Sequence, residues 1–214
     1  ALAVGLFVTV AGVGVGLAGQ GSAVGSNADY WIVPESESSA TLPVSVGGPQ
    51  LGSVHDVADR LSARDDVRYA SPVAVTLTEL THGETTEHVL IVGVVAHPDL
   101  TVGGVSAERL TPGDPHYANG TYDAARTAEL VASAGTGELL GVRDGDTVTT
   151  RTRLGSDTET HRLTVVNVSA AEGSGYSGMP VALVHLSELQ SMTGGTERDT
   201  ADQLLVSTSS PGVR

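Results

Sequence analysis

Lysine and cysteine are both missing from these 214 residues, and aromatic side chains are scarce. Without cysteine there is no disulfide framework, no thiol nucleophile and no Cys-ligated metal. With aromatics at 3%, a core must be assembled from Val, Leu, Ile and Ala. Stretches rich in Val and Thr favour strands. All 11 basic residues are Arg, against 25 Asp and Glu, for a formal charge of -14. Such a surface lacks the clustered cations that phosphate binding needs, so nucleic acid is excluded as a partner. Concentrated salt screens the self-repulsion of an acidic chain, and the composition reads as halophilic, haloarchaeal-like. The other reading is an acidic mesophilic protein with a basic partner.

Charge is also absent locally. Residues 1–28 carry no Asp, Glu, Lys, Arg or His, and Ala1 to Ala18 is apolar except for Thr9. A membrane-spanning helix needs about 20 such residues. The expectation is a transmembrane helix over 1–20, truncated at its start. A cleaved leader ending at Ser26-Asn27-Ala28 is the competing reading. Gly12 and Gly16 form a G-x-x-x-G pair that would let another helix approach closely in lipid. With 27 glycines in the chain, the pair also has an ordinary explanation.

Beyond the Gly/Ser-rich joint, Asp29 to Pro34 reads as a strand closed by proline. Residues 35–52 read as a loop. Ser53 to Arg64 is the clearest helix. Ser53 stands at the N-cap, Asp56 three residues on, and Val54, Val57, Ala58 and Leu61 share one face. Val67 to Leu80 and Glu84 to Ala96 form a hairpin across His82-Gly83. Residues 97–126 have weak periodicity. Ala128 to Ala132 reads as a strand and Gly135 to Gly141 as a short helix. Thr147 to Leu154 and Arg162 to Val168 form a second hairpin with a polar tip at 155–160. Val181 to His185 is a strand. Ser187 and Gln190 read as a capping pair for the helix that follows, and Gln203 to Thr208 as the last strand.

The motifs that could carry chemistry fail on context. Gly173, Gly175 and Gly178 match a dinucleotide pattern, but Pro180 and a strand follow where a helix is required. Ser177 lacks the second glycine of a nucleophile elbow, since Met179 stands there. The seven histidines are scattered without metal-ligand spacing, and read as exposed residues placed by chance. Only His82 and His88 could approach one another, across their turn. Asp144-Gly145-Asp146 reads as a turn, because the spaced oxygens of a calcium loop are lacking. Asn119 and Asn167 begin glycosylation sequons; Asn119, in a loop, is the usable one. No catalytic residue, no metal ligand and no cofactor-binding residue is assigned, and no cofactor is expected in the chain. It is not read as an enzyme.

The order of elements resembles a known family. The apolar helix, Asp29 to Pro34, the capped helix and Asp66 to Val73 resemble the extracytoplasmic (MacB-like periplasmic) core domain of MacB/FtsX-type ABC transporter permeases. So do Ala128 to Val131, Leu140 to Val148, Leu163 to Val168, Met179 to Val184 and the helix over Leu186 to Met192. The resemblance implies an α+β fold in which two strand-helix-strand units form one subdomain around an inserted, mostly β subdomain. On this chain the outer subdomain is 29–96 with 179–214, and the insert is 97–178. It implies a domain outside the cell membrane that carries ATPase-driven motion to a substrate. The partners it implies are a separate cytoplasmic ABC ATPase, a second permease copy and membrane lipid. The coupling residues of that family lie outside this chain. Two other functions compete: a membrane-anchored binding or adhesion module of a halophile, and a secreted enzyme with a cleaved leader.

Overall fold

The structure is a computed structural model, and it describes residues 27–34, 49–118, 120–154, 157–169 and 179–209. It is a mixed α+β fold. Ten strands and three helices follow in chain order: β1 (Tyr30–Ile32), α1 (Val54–Ser62), β2 (Val67–His82), β3 (Thr85–Val94), β4 (Thr101–Val102), β5 (Val105–Ser106), β6 (Glu129–Ala132), α2 (Ala134–Leu140), β7 (Thr147–Leu154), β8 (Asp157–Val168), β9 (Val181–His185), α3 (Leu186–Thr193) and β10 (Gln203–Thr208). Among the described residues no helix is long and apolar enough to cross a membrane. The segment 1–20 lies outside the described residues.

Eight strands share one sheet, in the order β1-β10-β2-β3-β9-β6-β8-β7. The last strand, β7, returns to β2 through Leu80 opposite Thr150 and Thr81 opposite Thr149. Six strands therefore close into a ring, and β10 and β1 continue from the first half of β2. The length of β2, 16 residues, makes this possible. One edge of it serves β10 along Val67–Val73 and β7 further on. On its other edge, towards β3, Pro72 has no N–H to give. The Ser71 hydroxyl stands in, donating to the Val95 carbonyl at 3.0 Å and accepting its N–H at 3.1 Å. The β2–β3 hairpin closes over Gly83, whose φ of 59° suits a two-residue turn.

Three apolar clusters follow from strand alternation. On one face Val73, Val75, Val92, Val94 and Leu183 are covered by the 97–110 segment through Leu100, Val102, Val105 and Leu110. On the other, Ile91, Leu130, Val165 and Val184 meet Leu140 of α2 and Leu186, Leu189 and Met192 of α3. Helix α1 lies over Ala70, Leu204 and Val206. Burying each of the larger side chains stabilises the fold by about 1.5–3 kcal/mol.

Three local expectations are corrected. Ser53 does precede α1, but its backbone is left-handed and its side chain caps nothing. The helix start is satisfied from afar, by residues 198 and 199. Ser187 and Gln190 do not cap α3; both are drawn into distant contacts, and His185 holds the N-cap position. The polar tip between β7 and β8 is shorter than 155–160, since the β8 ladder begins at Asp157, opposite Leu154.

Candidate functional site

Helix α1 begins with three backbone donors aimed at one loop. Ser53 N–H bonds the Arg198 carbonyl at 3.0 Å and Val54 N–H the Asp199 carbonyl at 3.1 Å. His55 N–H bonds the Asp199 carboxylate at 2.9 Å. This docking buries the His55 side chain, which is only 5% exposed. Its Nδ1 lies 2.6 Å from Asp199 Oδ1 and its Nε2 3.0 Å from Asp114 Oδ2. Carboxylates only accept, so both ring nitrogens carry protons and His55 is an imidazolium between two aspartates.

Each aspartate is held in turn. The Asp114 carboxylate accepts Ser187 N–H at 2.8 Å and the Ser187 hydroxyl at short range. Asp199 Oδ1 also accepts Gln190 Nε2 at 3.1 Å. The Tyr122 hydroxyl shares its one proton between Asp199 at 2.8 Å and Gln190 Oε1 at 2.9 Å. Tyr117 stacks on the imidazole, with ring centroids 3.8 Å apart.

The electrostatics follow. Burial would lower the His55 pKa, but the hydrogen bonds to Asp114 and Asp199 outweigh it and raise the value to about 9. Burial would raise Asp199, but its bonds to His55 bring it down to about 2. Burial, then the hydrogen bond to Asp199, pushes the Tyr122 hydroxyl up. At neutral pH His55 is thus protonated and Asp199 ionised, each against the other. His55 has no lone pair free to take a proton or ligate a metal. The arrangement can hold three segments together; it cannot act as a general base.

A second buried histidine repeats the theme. His185, at the end of β9, sets Nδ1 3.2 Å from the Gly113 carbonyl and Nε2 3.1 Å from Glu129 Oε2. Glu129 also accepts the Thr111 N–H at 2.7 Å and hydroxyl at 2.8 Å. Burial would raise the Glu129 pKa, but these bonds together bring it below the usual carboxylate range. Residues 111–122 are therefore pinned to α1, α3, β6 and β9 by two histidine clamps.

The histidines read as exposed from their scatter are thus partly corrected: His55, His116 and His185 are buried. His82 and His88 are not paired. His88 stands opposite Glu79, and His82 Nδ1 meets the Leu140 carbonyl at 3.1 Å. Asp144 and Asp146 accept the N–H groups of Val168 and Arg143, as turn carboxylates do. Asn167 sits within β8, opposite Val131 of β6. Gly12, Gly16, Asn119, the 173–178 glycines and Ser177 lie outside the described residues. The clamp was invisible in sequence because its partners are 59 and 144 residues from His55. In sequence His55 lies at the flank of the Val54, Val57, Ala58 and Leu61 stripe, and no local pattern marks it.

No family model matches the sequence, and no curated protein matches it. Among solved structures, the chain is similar to the extracellular domain of the noncanonic ABC-type transporter YknZ from Gram-positive bacteria. The identity is 14%, over 77% of this chain and 76% of that one, with a TM-score of 0.47. It is also similar to the periplasmic region of MacB from Actinobacillus actinomycetemcomitans. There the identity is 13%, over 79% of this chain and 73% of that one, with a TM-score of 0.47.

Proposed function

We propose that this chain is the extracytoplasmic domain of an ABC transporter permease of the MacB/FtsX type, and that it transmits motion rather than performing chemistry. The observation that carries the reading is the placing of the two ends of the fold. Asp29, just before β1, donates its N–H to the Val206 carbonyl at 3.0 Å, and its carboxylate accepts Thr208 N–H at 2.7 Å. The first and last described strands, β1 and β10, thus lie side by side, with Asp29 against Thr208. That geometry suits a domain carried between two membrane helices, one being the charge-free run that ends at Ala18. The order of elements, from Asp29 to β10, supports the same family. ATP hydrolysis then belongs to a separate cytoplasmic subunit, and the permease works as a pair.

The test uses the absence of cysteine from these 214 residues, with any cysteine elsewhere in the full-length protein replaced. A cysteine in place of the exposed His88 should react with a membrane-impermeant maleimide in intact cells, and the full-length permease should co-purify with an ABC ATPase. Labelling only after lysis, or a full-length protein with a single membrane helix and no ATPase partner, would overturn the reading.

A further inference from the structure

Among the described residues, strand β1 is a three-residue edge strand, paired on one side, to β10. Tyr30 and Ile32 stand opposite Val206 and Leu204 and so share the face on which α1 packs. Helix α1 covers Leu204 and Val206, which are 1% and 7% exposed, but leaves the edge strand open. Tyr30, Ile32 and Val33 are 44%, 42% and 49% exposed. Exposed apolar edges usually carry a charge or a proline that blocks pairing. Here Pro34 ends the strand, but no charge interrupts Tyr30-Trp31-Ile32-Val33.

Position says what covers this ledge. Eleven residues, 19–29, separate Ala18 from Tyr30. Eleven residues reach at most about 40 Å even when fully extended. Trp31 packs against the core on the other face of β1, so Tyr30 is the aromatic ring that the ledge presents. Aromatic residues just beyond an apolar span concentrate at the headgroup layer, where an amphipathic ring is half wet and half dry. A soluble partner would have to compete with a bilayer held permanently alongside.

We infer that the β1 ledge, Tyr30 with Ile32 and Val33, rests on the outer headgroup layer of the bilayer that holds residues 1–18; this inference builds on the membrane-tethered reading above. The ledge then fixes the tilt of the sheet over the membrane, and β2 leads away from the surface.

The experiment places a spin label at Ile32→Cys, or at Glu84→Cys on the far hairpin, in the full chain reconstituted into phosphatidylcholine vesicles. Collision with oxygen is compared with collision with a water-soluble nickel chelate. The expected result is an oxygen-to-nickel ratio several-fold higher at 32 than at 84. Equal ratios in protein that floats with the vesicles would overturn the ledge and leave the tether standing. Protein that fails to float would remove the tether and this inference with it.

Discussion

His55 shows how much one side chain can hold. Its pKa of about 9 in the fold compares with 6.5 for a free imidazole. Raised in the folded state, it stabilises the fold fully below pH 6.5, and the contribution is lost as pH rises through about 9. Asp199, at about 2 against 3.8, contributes fully above pH 3.8 and loses its share as pH falls through about 2. The clamp therefore contributes most between pH 3.8 and 6.5. Replacing His55 strands two carboxylates, so His55→Ala should cost about 3–5 kcal/mol at pH 6. Thermal melts of wild type and variant should differ most near pH 6 and converge towards pH 10. Gln203 is the opposite case. It is 1% exposed, and among the described residues neither amide atom has a hydrogen-bond partner. Gln203→Leu should raise stability by about 1 kcal/mol or more, read as a higher urea midpoint. A lower midpoint would mean the amide is satisfied in solution.

Elements were read from the sequence where their cause is local. The Val- and Thr-rich run of β2 and the apolar runs of β3 and β9 marked those strands. Helix α1 announced its apolar face, and the Gly83 turn its hairpin. What depended on remote residues could not be read. Ser53 has the side chain of a cap, yet Asp199 takes the helix start. Ser187 and Gln190 have the spacing of a cap, yet Asp114 and Asp199 claim them. The closing pair of β7 with β2 joins residues about seventy positions apart and leaves no trace in either strand. Helix packing shows the same limit. At Gly93 in β3 an added Cβ would meet Leu189 Cβ at 2.9 Å and the Leu186 backbone at 3.2 Å, so α3 needs a glycine beneath it. At Gly135 in α2, among the described residues, nothing lies within 4 Å of an added Cβ. One substitution should thus act with two signs. Gly93→Ala should lower stability by about 1–3 kcal/mol, and Gly135→Ala should raise it by up to about 1 kcal/mol. Denaturation midpoints of the two variants decide the matter.

At the scale of the molecule, a charge of -14 without a single Lys makes self-repulsion the dominant long-range term. Added salt screens it, over about 10 Å at 0.1 M and 3 Å at 1 M. The melting temperature should therefore climb steadily with sodium chloride beyond the range where an ordinary protein levels off. A flat response from dilute buffer to molar salt would remove the halophilic reading. The side-by-side ends of the fold have a mechanical meaning. Asp29 and Thr208 are joined at the mouth of a ladder only three residues deep. A load that drew the two tethers apart would act on one rung at a time, as a zipper opens. The same load drawn in common, along the axis of β2, would meet every rung of a strand about 50 Å long at once. On the proposed reading the domain would yield to separation of Asp29 from Thr208 and resist their joint displacement, as a one-way joint does rather than a spring.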